Sequence, residues 1–447
     1  MPTTGAAAIE PENDALVGRS AMRKATWRLI PLIALGYGVA YMDRVNIGFA
    51  QLQMKDDLHF SSTIFGIGAG IFFVSYAVCE IPSNLLLYRF GARRWLARIM
   101  LTWGLLAMAM MFVRTPWQFY SMRFLLGMAE AGFFPGVLFY LTQWFPANLR
   151  ARTISRFYVS LPLSAVFMGA VAGALLNLQG KLGLRGWQWL FLIEGMPAVL
   201  LSAVFLKCLP DSPKAAPWLT EPERAWIEDE LAKEGSAVPG SHATGVGAAL
   251  SDIRVWLFGL TNLLMLGVNY AYTFPLPSIV QNLTSLNATL VGYIISGMGL
   301  LGAFGMVFNA WLSDRRGKPY VHMLVPAVLE SICLLIVCLT VNPWIAIPGL
   351  VVMYFAHNAI QGPLLAVPST FLKGKGAAAG LATINMIGIL GGVIGPPLMG
   401  WARDLTGSYQ NGLGVLSLTM LAASGVVVVL RSLALKRNTE MRIHVHP

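Results

Sequence analysis

Two short stretches of this 447-residue chain repeat one pattern: Tyr88-Arg89-Phe90-Gly91-Ala92-Arg93-Arg94 and Asp314-Arg315-Arg316-Gly317-Lys318. Each follows a long apolar run and joins arginine, glycine and further basic residues. Glycine permits a tight turn between two helices. The guanidinium groups can cap helix carbonyls or pair with acids on a neighbouring helix. Counting outward, each copy lies between the second and third of six apolar runs, so two similar halves are expected. Arg89, Arg93, Asp314, Arg315 and Gly317 are the candidate gating residues of such a design.

The runs themselves carry the fold. A hydrocarbon core of about 30 Å takes about 20 apolar residues per helix. Twelve stretches meet that measure, near residues 27–49, 63–88, 95–113, 117–141, 153–178, 187–207, 254–280, 289–312, 321–341, 344–371, 378–401 and 411–433. Composition agrees: 12% of residues are charged, against about 25% in soluble domains, which excludes a water-soluble multi-domain enzyme. The expected fold is an all-α membrane protein with twelve transmembrane helices in two six-helix pseudo-symmetric bundles. Residues 27–207 and 254–433 form the bundles, with tails at 1–26 and 434–447 and a central loop at 208–253. Within that loop, Thr220-Glu221-Pro222-Glu223 starts a short helix whose apolar side carries Trp226, Ile227 and Leu231. It is expected to lie on the membrane face, followed by a flexible linker over 235–247.

Charge placement sets the orientation. With both termini cytoplasmic, 25 of the 32 Lys and Arg fall in cytoplasmic segments and five outside, as the positive-inside rule requires. The net charge of +11 therefore reflects topology, because the basic residues do not gather into a nucleic-acid patch. Cys79, Cys208, Cys333 and Cys338 show neither disulfide nor metal spacing, and no cleavable signal peptide is expected. The chain has no G-x-x-x-x-G-K-[ST], H-E-x-x-H or G-x-S-x-G stretch. No catalytic residue, cofactor, metal or nucleic-acid partner is expected.

More specific stretches stand around the repeat. They are Tyr41-Met42-Asp43-Arg44-Val45-Asn46-Ile47-Gly48, Glu80-Ile81-Pro82-Ser83-Asn84, Arg123-Phe124-Leu125-Leu126-Gly127-Met128-Ala129-Glu130-Ala131-Gly132 and Gly186-Trp187-Gln188-Trp189. With Asp314 to Lys318 they resemble the major facilitator superfamily and, within it, the anion:cation symporter family, over most of the chain. Tyr88 departs from the superfamily signature, which has Asp there. The resemblance implies a monomeric, multi-pass carrier in the bacterial inner membrane, working by alternating access. Its partners would be a small organic anion, protons and the lipid bilayer. The anion would be a carboxylate such as tartrate, a sugar acid or an aromatic acid, taken up with protons. An organic-anion exchanger or a drug/proton efflux carrier of the same fold is the alternative.

A charge at the bilayer centre costs at least about 2.5–3.5 kcal/mol, so the intramembrane charges need a reason. Asp43 and Arg44 sit in the first span. Arg123 and Glu130 are seven residues apart in the fourth and share a face. Arginine offers carboxylates a planar, bidentate partner. Releasing it from an internal acid is cheap once that acid takes a proton, so proton and anion binding favour each other. The resemblance assigns Arg44 and Arg123 to the anion, and Asp43 and Glu130 to the proton. Static ion pairs between helices are the plainer reading of the same residues. Tyr41, Asn46, Asn269, Tyr270, His357, Asn358 and Asn385 are further substrate-binding candidates, though polar contact between helices explains any one equally well. Glu80, Asn84, Glu194 and Glu330 read as structural.

Overall fold

In a chain this apolar the backbone finds no water to bond, so each run closes its own hydrogen bonds as helix. The computed structural model describes residues 9–158, 160–236, 246–372 and 374–445. In chain order the helices are α1 (Ile9–Leu58), α2 (Ser62–Phe90), α3 (Ala92–Ala109), α4 (Pro116–Glu130), α5 (Phe133–Thr142), α6 (Ala147–Tyr158), α7 (Ser160–Leu176), α8 (Gly186–Cys208), α9 (Glu221–Ser236), α10 (Val246–Ser251), α11 (Ile253–Thr273), α12 (Leu276–Thr284), α13 (Ala288–Arg316), α14 (Pro319–Leu339), α15 (Pro343–Phe371), α16 (Gly374–Thr406) and α17 (Gln410–Val445). Among the described residues, eleven helical segments are long and apolar enough to cross a membrane. The twelfth rod is α1, which carries Asp43 and Arg44 along its length. The linker expected over 235–247 falls mostly on residues 237–245, outside the described residues.

Three expected spans differ from the helices found. The fourth, expected unbroken, divides after Glu130: Ala131 is extended and Gly132 has φ 86° before α5 begins. Pro135 lacks the amide hydrogen that would carry the helix across this point. A side chain on Gly132 would also strike Ser83 of α2. The seventh span divides at Pro275, with Pro277 close behind, for the same reason. The first is far longer than expected. Its 50 residues extend about 75 Å at 1.5 Å per residue, against a hydrocarbon core of about 30 Å.

The extra turns of α1 have a partner. Glu223 of α9 accepts from Lys24 Nζ at 2.8 Å and Ser20 Oγ at 2.7 Å. Trp226 lies against Gly18, and Ile227 is fully buried. The apolar side of α9, expected against the membrane, is thus spent on protein. Burial pushes the Glu223 carboxyl up, but Lys24, Ser20 and the Thr220 N–H outweigh it and hold it down at about 2. The segment before α9 is tied to the same bundle. The Arg93 N–H at the start of α3 donates to Asp211 Oδ1 at 2.9 Å, and Tyr140 Oη donates to the Pro210 carbonyl at 2.8 Å.

Both copies of the sequence repeat turn on a glycine at positive φ, with ψ 149° at Gly91 and 27° at Gly317. Gly91 (φ 84°) separates α2 from α3, and Gly317 (φ 61°) separates α13 from α14, a conformation open to glycine at no steric cost. Helices α1–α8 build one bundle and α11–α17 the other. The two meet through α2 on α16, α7 on α13 and α1 on α12. Among the described residues, the hydrogen bonds joining the bundles lie in the half remote from α9, reaching inward to Ser296 Oγ, which donates to the Val166 carbonyl at 2.7 Å. Ser62 and Thr63 N–H donate to Asp404 at 3.0 and 2.7 Å, Gln51 Nε2 to Tyr409 Oη at 3.1 Å, and Asn177 Nδ2 to Thr289 Oγ1 at 2.6 Å. Glycine backbones touch there too, Gly169 against Gly292 and Gly66 against Pro396.

Candidate functional site

Between the bundles, Phe73 of α2 meets Tyr270 and Phe274, with ring centroids 4.4 and 6.3 Å apart, a contact that would floor a gap opening between them. Just above this floor stand the charges of the first bundle. Arg44 of α1 forms an ion pair with Glu130, the last residue of α4. A helix C-terminus presents carbonyl dipoles and is a poor place for a carboxylate without a cation. The chain break at Ala131–Gly132 places Glu130 there, and Arg44 supplies the cation.

The two arginines differ in access. The Arg44 side chain is 13% exposed, whereas Arg123 is 1% exposed. Arg123 donates from Nε to the Gly68 carbonyl at 3.2 Å, and its Nη2 has no partner. Both guanidinium groups lie over Phe72, at 4.8 Å for Arg123 and 5.4 Å for Arg44, and Arg44 also lies 5.3 Å from the Tyr76 ring. Cation–π contact of this kind contributes about 0.5–2 kcal/mol, more when desolvated. Nothing in the sequence marks Phe72 and Tyr76 among so many phenylalanines and tyrosines.

Asp43 points the other way from Arg44, into the bundle. It is 1% exposed; Oδ1 accepts from Asn46 Nδ2 at 3.0 Å, and Oδ2 has no partner. Asn46 therefore holds Asp43 and does not line the gap. Beside them lies Glu194 of α8, 5% exposed, which also faces Asn46 though neither of its oxygens makes a well-formed hydrogen bond. From sequence alone Glu194 reads as structural. Its signal was available: an acid in an apolar run with no base near it.

The candidates of the second bundle divide. Tyr270 belongs to the floor of the gap, and Asn269 accepts from Thr273 Oγ1 at 3.1 Å within its own helix. Asn385 is exposed and lies seven residues before Gly392, which packs on Phe73. It therefore shares the face turned toward the first bundle. Tyr41 of α1 is partly buried against the core. Asn358 bonds back to the Tyr354 carbonyl at 2.9 Å. His357 is buried away from the Arg44 cluster and pairs through Nδ1 with Glu330 at 3.0 Å, so two residues read separately form one unit.

The gating candidates stand at the two glycine turns. Arg89 lies 5.6 Å from Phe90, and Arg315 lies 5.4 Å from Trp311. Asp314 is exposed. Arg93 engages Asp211 through its backbone only. The four cysteines are free, and no group of His, Cys, Asp and Glu among the described residues could hold a metal ion.

Two helical bundles joined toward one end, with the Arg44–Glu130 ion pair between helices of the first, define a secondary membrane transporter. The chain belongs to the Major Facilitator Superfamily, which matches it over residues 33–396. It is 43% identical over 412 residues to a protein of Agrobacterium vitis named "Putative tartrate transporter", covering 92% of this chain and 91% of that one. It is 38% identical to the "Quinolone resistance transporter" of Acinetobacter baumannii, covering 90% and 93%. The fold is that of a bacterial homolog of the human lysosomal transporter Spinster, at TM-score 0.71 and 15% identity over 90% of this chain and 95% of that one.

Proposed function

We propose that this protein takes up a small organic anion together with protons across the bacterial inner membrane, by alternating access, with both termini in the cytoplasm. One observation carries this reading: Arg44, partly exposed at the base of the gap, is held by the buried Glu130 carboxylate. An incoming carboxylate competes with Glu130 for the guanidinium, and protonation of Glu130 releases it. Proton and anion then bind together, which is the thermodynamic content of symport. Arg123, deeper and fully buried, supplies fixed positive charge to the site. With the positive-inside orientation, the joined end faces the periplasm and the gap opens to the cytoplasm. The relative named for tartrate supports a hydroxylated carboxylate as substrate. Sugar acids and aromatic acids remain within the same chemistry.

The test is a screen of organic acids by thermal shift on purified protein, followed by uptake into proteoliposomes under an imposed proton gradient. A ligand at about 100 times its Kd adds about 2.7 kcal/mol to the folded state. Arg44→Ala is expected to lose both stabilisation and uptake. Glu130→Gln is expected to keep stabilisation and lose gradient-driven accumulation. Normal accumulation by both variants would sink the assignment. The relative named for quinolone resistance favours a second reading, efflux. Stabilisation by quinolones alone, with export coupled to proton entry, would establish it.

A further inference from the structure

The charges of the first bundle do not balance. At mid-depth, Asp43, Glu130 and Glu194 stand against Arg44 and Arg123, three acids to two arginines. Glu130 has Arg44. The other two acids meet across Asn46, and three of their four oxygens have no hydrogen-bond partner. An isolated ionised carboxylate in such surroundings costs several kcal/mol. Asn46 also faces Glu194 and the Trp103 N–H faces Asp43, but among the described residues neither makes a well-formed hydrogen bond to the three remaining oxygens.

The neighbours leave little else to compensate the pair. From α4, Glu130 and Arg123 act on Asp43 with opposite sign. Helix α3 brings Trp103 and glycine contacts to this depth, and α7 carries no titratable residue. Glu80 of α2 is partly exposed and faces Arg44.

We propose that Asp43 and Glu194 share one proton, forming a proton site separate from Glu130. The proton enters from solvent and leaves to solvent, converting one carboxylate to a carboxylic acid and back. One proton brings the five buried groups to neutrality. Asn46 suits the pair chemically: its amide N–H already donates to Asp43, and its carbonyl is the kind of acceptor a protonated Glu194 needs. This inference rests on the proton-coupled reading above and adds Glu194 to its proton-handling groups.

The experiment is the melting temperature of purified protein without substrate, from pH 5 to pH 8, for wild type, Glu194→Gln, Asp43→Asn and the double variant. Glutamine keeps the shape of the protonated acid. Wild type and Glu194→Gln are expected to coincide at pH 5 and to separate by a few degrees by pH 8, wild type falling faster as it comes to hold two facing carboxylates. Asp43→Asn is expected to behave likewise, and the double variant to add nothing. Parallel curves, or additive effects, would overturn the shared proton. So would stabilisation of the wild type by sodium at fixed pH, which would put a metal cation there. The uptake assay is independent: converging curves with uptake indifferent to the proton gradient would retire proton coupling and leave the site standing.

Discussion

Arg44 and Arg123 carry the same charge, and their surroundings give them different work. Arg44 sits at the base of the gap with one carboxylate partner, whereas Arg123 is enclosed between Gly68 and Phe72. The planar guanidinium both lies over the ring and donates to the carbonyl, which an ammonium does not reproduce. Arg123→Lys should therefore lower stability by about 1–3 kcal/mol although the formal charge is kept, measured as the melting temperature at neutral pH. Equal melting temperatures would mean that charge alone matters at this position. Spacing in the sequence put Arg123 and Glu130 on one face correctly. It could not show that Glu130 turns to Arg44, because the distance between α1 and α4 is set by packing.

At the scale of single elements, proline alone did not say where helices break. Pro31, Pro82, Pro197, Pro326 and the pair Pro396-Pro397 lie inside continuous helices. The chain divides near Pro135, where Gly132 at positive φ against Ser83 adds a second cause. It also divides at Pro275, where a second proline follows but does not by itself explain the break, since Pro396-Pro397 leaves α16 continuous. Gly132→Ala forces a side chain into a left-handed conformation and onto Ser83, a strain of about 1–3 kcal/mol. Its expected outcome is a lower melting temperature together with weaker ligand binding, because Glu130 lies two residues away. Loss of stability with unchanged affinity would separate the break from the site.

The strap at α9 has a pH signature of its own. Glu223 titrates at about 2 when folded, against an ordinary value of 4.5. Its contribution is therefore complete above pH 4.5 and is lost as pH falls toward 2. Glu223→Gln should lower the melting temperature at pH 7, and the gap to wild type should close as pH is brought from 4.5 toward 2. No difference at pH 7 would mean that Trp226 and Ile227, rather than the ion pair, hold α9 to α1.

For the whole molecule, the hydrogen bonds between the bundles gather, among the described residues, toward one end, which a carrier working by alternating access must be able to open. The Asn177 side chain, just past the end of α7, donates to Thr289 of α13 at 2.6 Å across the joined end. Asn177→Cys with Thr289→Cys, oxidised, should lock that end and stop transport, and reduction should restore it. Undiminished uptake by the oxidised, verified cross-link would mean that this end does not open during transport.

Sequence alone was enough for the helical class, the two halves and the glycine turns at Gly91 and Gly317, and it singled out the four charges Asp43, Arg44, Arg123 and Glu130 as candidates. These follow from apolar run lengths, local turn geometry and the cost of charge in hydrocarbon, all of which act along the chain. Tertiary structure decided which acid faces which arginine, that His357 pairs with Glu330, that α9 clasps α1, and that Glu194 stands beside Asp43 with no cation. Each of those depends on how helices far apart in sequence rotate and approach. Dense packing of side chains across the whole bundle sets that rotation, and no local stretch encodes it.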